Sequence, residues 1–320
     1  MQTLTNKEAA AFLLERDNFA ILTHARPDGD TLGSSAALCR MLRQLGKTAH
    51  VLENPEITET YAWLHQGLTK SAADKNDTII CVDVAAPHLL PGAFQLYLGR
   101  IDLRIDHHSG DDHFSQRELV DSSCGACTEI IYELGCALDI PLDRSTADAL
   151  YTGTITDTSC FQFANTTAHT LAVASACVAA GARNFEIYQT IFEDRIPQRL
   201  RLQSYIAENM KSFCHGKLTL VSIPLAVQEE IGANQEDLNN ILNFPQSLSK
   251  SQVAAILLET VQGGTRLSVR SIPGVDCSGI VAAFGGGGHK VAAGANMTMP
   301  LEGAEKAVEK EMLHQFREIL

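Results

Sequence analysis

The 320-residue chain has no apolar run approaching the roughly 18–20 residues that a membrane span requires. It has no excess of positive charge, since 25 Lys and Arg face 38 Asp and Glu for a formal net charge of −13. A protein that coats long duplex nucleic acid draws its affinity from many cation–phosphate contacts. The balance here excludes that class, and it leaves room for a local anion pocket or a carboxylate-rich metal site. Internal repeats, low-complexity tracts and coiled-coil heptads are also missing. Nor is there a disulfide framework: the nine cysteines are odd in number and scattered, which suits a reducing compartment. The apolar stretch at residues 9–14 is short and bracketed by Glu8 and Glu15, the mark of an amphipathic helix rather than a secretory signal. The expected location is cytoplasmic, with no membrane partner.

What is present is an ordinary globular composition, 45% hydrophobic and 20% charged. At roughly 150 residues per domain, the length suggests two domains. In the first half, short β-branched runs alternate with helical patterns. Residues 19–23, 48–52, 78–82 and 101–105 read as strands. The third, Thr-Ile-Ile-Cys-Val, is so uniformly apolar that both its faces should be covered. Residues 31–45 carry Leu32, Ala36, Cys39, Leu42 and Leu45 at helical spacing, and Gly46 is placed to stop that helix. Residues 124–138 and 144–156 read as further helices, and residues 161–163 as strand-like. This rhythm predicts an α/β fold, a largely parallel sheet with helices on both faces.

From about residue 188 to 212 the chain turns polar and helical, with Arg195, Arg199 and Arg201, and reads as a connecting helix. A second, smaller α/β unit follows. Residues 217–223, 253–260 and 265–271 read as strands, the last two joined by a hairpin at Gly263-Gly264. Residues 276–284 are helical in pattern, then come Gly285-Gly286-Gly287-Gly288-His289, and an amphipathic helix begins near residue 301. The expected division is 1–187 for the first domain, 188–212 for a helical linker and 213–320 for the second domain.

His24, Asp83 and Asp106-His107-His108 each fall just past the end of a predicted strand, the edge where open α/β sheets bind ligands. His24-Ala-Arg-Pro-Asp28-Gly-Asp30 puts one imidazole and two carboxylates on a turn that can aim them into one concavity. Asp157 closes the segment Gly153-Thr-Ile-Thr-Asp157. Taken singly, each has a plainer reading as a helix cap, a turn residue or a surface histidine pair. Taken together, Asp28, Asp30, Asp83 and Asp157 on one edge would repel strongly unless two divalent cations cancelled their charge. Carboxylates mixed with imidazoles suit Mn²⁺, with Mg²⁺ or Co²⁺ as substitutes. His107 and His108 are adjacent, so on an extended chain one can ligate while the other faces substrate. In the second unit, Gly286, Gly287 and Gly288 let backbone N–H groups approach an anion. His289 follows them, and Arg270 and Ser271 lie upstream with a guanidinium fork suited to phosphate.

The order HxxxDGD, strand-end Asp, DHH and GTITDT, followed by GGGGHKVAAGA, resembles the DHH phosphoesterase superfamily with its C-terminal DHHA1 domain. Within it the chain is similar to the bacterial nanoRNase group of bifunctional oligoribonucleases and 3′-phosphoadenosine-5′-phosphate phosphatases. The resemblance covers essentially the whole chain. It implies that His24, Asp28 and Asp83 hold one metal, and that Asp30, Asp83, His107 and Asp157 hold the other, with Asp83 bridging. It implies that His108 meets the scissile phosphate or the leaving oxygen, and that Asp106 orients a histidine. Arg270, Ser271, Gly286, Gly287, Gly288 and His289 would grip the substrate end away from the metals. The implied activity is two-metal-ion hydrolysis of short oligoribonucleotides and linear dinucleotides to mononucleotides, with 3′-phosphoadenosine 5′-phosphate as a second substrate. The implied partners are short single-stranded RNA or small nucleotides, and the implied state is monomer or homodimer.

Pyrophosphate and polyphosphate phosphohydrolases share such a core, but the GGGGH segment argues against them. Cyclic-dinucleotide hydrolysis is a related alternative, without the added sensory or membrane segments that often accompany it. A non-catalytic nucleotide sensor would show lost ligands, and here each expected position is filled. Cys124-Gly-Ala-Cys127 has no second pair at zinc-ribbon spacing and reads as helix-buried thiols. Trp63 and Tyr61 read as packing residues. His50, His65, His88, His169, His215 and His314 read as surface or core fillers, and His113 stays unassigned.

Overall fold

A computed structural model describes residues 2–317 except 111, 194–195, 235–236, 239–240, 242 and 247–249. The chain divides into two compact units, Met1–Glu193 and Asp194–Leu320. Arg195 lies outside the described residues.

In the first unit, the described strands form one seven-stranded parallel sheet. They are β1 (Gln2–Thr3), β2 (Phe19–Leu22), β3 (Ala49–Leu52), β4 (Thr69–Lys70), β5 (Thr78–Val82), β6 (Ile101–Asp106) and β7 (Arg117–Val120), in the order β1-β7-β6-β5-β2-β3-β4. The chain winds outward from β2 through β3 to β4. It then returns to the other side of β2 as β5 and continues to β6 and β7. The order therefore reverses between β2 and β5, where an open sheet leaves a crevice at its carboxyl edge.

Five helices, α1 (Asn6–Glu15), α2 (Gly29–Gln44), α3 (Cys127–Ala137), α4 (Arg144–Asp157) and α5 (Ala168–Ala179), pack with one face of this sheet. The 3₁₀ segments Pro87–Leu89 and Gly92–Arg100 lie toward the other, where Phe94 and Tyr97 are buried. The uniformly apolar β5 divides accordingly: Ile80 and Val82 join the helical core, and Ile79 and Cys81 join the opposite one. The helices α2 and α4 meet closely, because a Cβ on Gly33 would sit 2.4 Å from the Ala149 carbonyl oxygen. Only glycine permits that approach.

Several local expectations are corrected. Residues 161–163 form no strand: Ser159, Cys160 and Phe161 take left-handed backbone angles (φ 47°, 53° and 65°), and Thr158 accepts the Phe161 N–H. The helix expected from residue 124 begins at Cys127, because residues 121–124 close a turn in which Asp121 accepts the Ser123 N–H. The segment 188–212 is not one helix. It contains a π turn, Gln189–Glu193, then the helix Ile196–Asn209 and the strand β8 (Lys211–Phe213).

The second unit has six described strands, β8, β9 (Leu218–Ile223), β10 (Val253–Glu259), β11 (Thr265–Ser271), β12 (Gly287–His289) and β13 (Ala292–Met297). Their order is β12-β13-β11-β10-β9-β8, with β9 and β10 parallel and the other pairs antiparallel. Leu267 and Val269 pack with Ala304, Val308 and Met312 of the helix Leu301–Arg317, while Ile256 and Leu258 pack with Leu202 and Ile206. The glycine run ends in an edge strand, with Gly287, Gly288 and His289 in register against Gly294, Ala293 and Ala292. Among the described residues, no helix is long and apolar enough to cross a membrane. All nine cysteines are free.

Candidate active site

Each acidic or imidazole side chain singled out in the first unit is positioned by a strand end or a helix end. His24 lies just past β2, and its Nδ1 donates to the Ala25 carbonyl (2.8 Å), which leaves Nε2 facing the crevice. Asp28 caps α2, accepting from the N–H groups of Asp30 and Thr31. An aspartate at a helix start is stabilised by the unpaired N–H groups there. Asp30, two residues further on in the same first turn, accepts from the N–H groups of Cys127 (2.6 Å) and Thr128 (3.0 Å) and so caps α3 from a different helix. Asp83 ends β5 with a left-handed φ of 57°, its N–H donating to the Ile105 carbonyl. His107 follows β6 and directs Nδ1 to the Cys124 carbonyl (3.2 Å). Asp157 is the last residue of α4.

These positions converge. His24 Nε2 is 3.5 Å from both Asp28 Oδ1 and Asp83 Oδ2. His107 Nε2 is 3.5 Å from Asp83 Oδ1, 3.5 Å from Asp157 Oδ2 and 3.8 Å from Asp30 Oδ2. Among the described residues, three groups of donor atoms, the atoms of each group within 4.8 Å of one another, could hold a metal ion: His24, Asp28 and Asp83; Asp30, His107 and Asp157; and Asp83, His107 and His108. Asp83 belongs to two of them. All six residues expected to ligate metal are therefore brought together, and His108 lies beside them.

The chemistry of the set suits divalent cations. Among the described residues, Asp83 Oδ1 and His107 Nε2 are buried with no hydrogen-bond partner, an arrangement that costs free energy unless something else meets those lone pairs. Burial, and then the charge of Asp83, pushes the Asp30 carboxyl up to about 7. Burial, and then the charges of Asp30, Asp83 and Asp28, pushes Asp157 up to about 9. Burial disfavours the His24 imidazolium, but Asp28 and Asp83 outweigh it and raise His24 to about 11. Negative charge is thus crowded at this edge, and bound cations would relieve it.

Asp106 sits apart from the donor groups. Its Oδ1 accepts from the N–H groups of His107 and His108 and from His108 Nδ1 (2.8 Å), which fixes the His108 ring. That bond also raises the His108 pKa. Burial opposes ionisation of Asp106, but its hydrogen bond to His108, and then Arg104, lower its pKa. Arg104 escaped the sequence reading, although a signal was there. An arginine inside a strand covered on both faces must have a buried partner, and the residue two positions on, which shares its face, is Asp106. His113, left unassigned, directs Nδ1 to Glu118 (3.0 Å). The Cys124–Cys127 pair is only half as expected. Cys127 is buried at the start of α3, whereas Cys124 precedes the helix and offers His107 its carbonyl.

In the second unit, Arg270 is half-buried on β11 and in register with Ala292, which is in turn in register with His289. The His289 side chain lies outside the described part of the structure. The Ser271 hydroxyl donates to the Val275 carbonyl (2.5 Å), so the turn after β11 engages it. Gly286 is pressed against β13: a Cβ there would sit 2.3 Å from the Gly294 carbonyl oxygen.

Comparison with known proteins identifies both units. Residues 18–154 match the DHH family, N-terminal domain, and residues 222–319 match the DHHA1 domain. A Thermus thermophilus protein named bifunctional oligoribonuclease and PAP phosphatase NrnA is 30% identical over 284 residues, 87% of this chain and 83% of that protein. The crystal structure of an exopolyphosphatase-related protein from Bacteroides fragilis has the same fold, with a TM-score of 0.87 at 24% identity, covering 98% of this chain and 97% of that one. RecJ from Thermus thermophilus, solved in complex with Mn²⁺, shares the fold more distantly, with a TM-score of 0.58 at 15% identity over 96% of this chain and 53% of that one. With both domains matched in order, and a relative similar along most of its own length, the chain belongs to the DHH/DHHA1 phosphoesterase superfamily.

Proposed function

We propose that this chain hydrolyses short oligoribonucleotides and linear dinucleotides to mononucleotides, and 3′-phosphoadenosine 5′-phosphate to AMP. The observation that carries the reading is Asp83, whose two oxygens serve two different groups of side chains at an edge where four carboxylates converge. The similarity to the Thermus thermophilus oligoribonuclease and PAP phosphatase supports the substrate class.

In this reading His24, Asp28 and Asp83 hold one divalent cation, and Asp30, Asp83, His107 and Asp157 hold a second. Mn²⁺ is the expected ion, with Mg²⁺ or Co²⁺ as substitutes. When bound, such cations supply Lewis-acid polarisation of a phosphoryl group and the positive charge that offsets the carboxylates. Asp106 accepts the His108 Nδ1 proton and leaves Nε2 to meet the scissile phosphate or the leaving oxygen. Arg270 offers a planar fork to a second phosphate or to the far end of the substrate, aided by the backbone of Gly286, Gly287 and Gly288, Ser271 and His289. Residues 1–187 carry the metal-holding set, residues 213–320 carry the substrate-binding set, and 188–212 connect them.

The test is a panel of short 5′-labelled RNAs, 3′-phosphoadenosine 5′-phosphate and pyrophosphate, each incubated with Mn²⁺, Mg²⁺ or chelator. The expected result is cation-dependent release of mononucleotides and AMP, abolished by Asp83→Ala. Phosphate released from pyrophosphate with RNA left intact would overturn the assignment.

A further inference from the structure

Arg104 lies in β6, two residues before Asp106, and is 1% exposed. A buried guanidinium is costly unless its donors are used. Here Nε donates to the Val84 carbonyl (2.9 Å) and Nη1 to the Asp112 carbonyl (2.9 Å). Nη2 donates to the Ala85 carbonyl (3.3 Å) and to Asp106 Oδ2. Glu118 Oε1 is 3.8 Å from Nη1, and the Phe114 ring lies 5.1 Å from the guanidinium carbon. One planar group thus ties three stretches of chain at the carboxyl edge of the sheet.

Two of those ties adjoin the metal-holding set. Val84 and Ala85 directly follow Asp83, whose left-handed backbone aspartate adopts more readily than most residues but still at a cost that the surrounding structure offsets. Asp106 turns its other oxygen, Oδ1, to the N–H groups of His107 and His108 and to His108 Nδ1. Arg104 therefore grips the turn that carries Asp83 and the carboxylate that orients His108, without touching a metal-holding atom itself.

We propose that Arg104 is a positioning residue that couples the Asp83 turn to Asp106, and so sets Asp83 and His108 in the mutual placing that cation binding and turnover require. The inference rests on the metal-dependent reading above. A lysine carries the same charge but not the task. Its ammonium is a single point on a flexible stem, whereas the guanidinium reaches three carbonyls and a carboxylate from one plane.

Two variants test it. Arg104→Lys keeps the charge. Arg104→Gln combined with Glu118→Gln removes one buried cation and one buried carboxylate together. The net buried charge then equals that of the wild type, and Asp106, which loses its guanidinium partner, keeps the N–H groups of His107 and His108. Folding of the metal-free variants is checked by thermal denaturation. Mn²⁺ titrated calorimetrically into metal-free protein should bind about 10–100-fold more weakly than in the wild type, the usual effect of losing a group that holds ligands in place. The kcat on a dinucleotide should fall by a similar factor with KM nearly unchanged, and the hydrogen-bonded His108 Nδ1–H resonance should be lost. Glu118→Gln alone should leave Mn²⁺ affinity and kcat close to those of the wild type.

If a folded Arg104 variant binds Mn²⁺ and turns over as the wild type does, the inference is overturned while the functional reading stands. A loss confined to KM, with Mn²⁺ affinity intact, also overturns it. If the wild type itself neither binds Mn²⁺ nor cleaves the dinucleotide, the functional reading fails and takes the inference with it.

Discussion

Replacing Asp157 by asparagine should stabilise the metal-free protein while removing most of its response to cations. Asp157 ends α4, and its side chain is 28% exposed. Burial and the neighbouring carboxylates push its carboxyl from 3.8 up to about 9. In the unfolded chain it returns to the lower value. Between those limits the folded state binds more protons than the unfolded one, so stability is lost as pH rises from about 4 to about 9. At pH 7, holding this carboxyl protonated costs at most about 4 kcal/mol. Water at a partly exposed side chain reduces that to roughly 1–3 kcal/mol. A negative charge at the C-terminal end of a helix adds to the same side of the balance.

Asparagine keeps the shape and removes the charge. At roughly 2–4 °C per kcal/mol, the metal-free variant should melt about 3–10 °C above the wild type at pH 7. The gap should close below about pH 4, where the carboxyl is protonated in both states. Calorimetry in chelator across that range measures it directly. Adding Mn²⁺ should raise the Tm of the wild type by mass action and that of the variant far less. If the metal-free variant is less stable than the wild type at neutral pH, or gains as much from Mn²⁺, the electrostatic account of the site is refuted.

Three further outcomes are expected. In Gly153→Ala the new methyl group would lie 2.4 Å from Thr128 Cγ2 and 2.7 Å from Asp30 Oδ1, both fully buried. Stability should fall by about 1–3 kcal/mol and kcat by tenfold or more, and an unchanged kcat would show that Asp30 tolerates displacement. His65 is buried against Ser35 (2.9 Å), and burial pushes its pKa down to about 4 from 6.5. The unfolded chain takes the proton first on acidification, so stability present above pH 6.5 is lost as pH falls toward 4, by at most about 3 kcal/mol. His65→Gln should flatten that limb in urea titrations, and an unaltered slope would assign acid lability elsewhere. Arg270→Gln should raise KM for a dinucleotide by about 10–100-fold, the loss of one charge-assisted fork, with kcat less affected. Unaltered steady-state kinetics would exclude Arg270 from the substrate.

Much of the first unit is legible in the sequence because burial leaves a periodic trace. The apolar run of β5 announces a strand covered on both faces, and His24, Asp83 and the 106–108 triplet stand where such runs stop. What escapes is short or non-local. Strands β1 and β4 have two residues each, too few for any period, and they exist only as neighbours of longer strands. The glycine run carries no side-chain pattern, so its pairing as the edge strand β12 is invisible until β13 lies beside it. Residues 161–163 look like a strand by composition, but the hydrogen bond from the Phe161 N–H to Thr158 coils them into a turn.

By itself the sequence determined which residues are candidates for the chemistry, and it put them at the ends of strands and helices. Only the tertiary structure decided that they share one place. Asp30 meets Thr128 across 98 residues of chain, and Asp157 arrives at the same site from the end of a helix, because Gly33 and Gly153 let α2 and α4 close to backbone contact. It also decided which nitrogen of His24 and of His107 faces the carboxylates, since in each ring a backbone carbonyl engages Nδ1. The physical reason is that a periodic pattern records how deeply each residue is buried, whereas packing and hydrogen-bond satisfaction choose its neighbours.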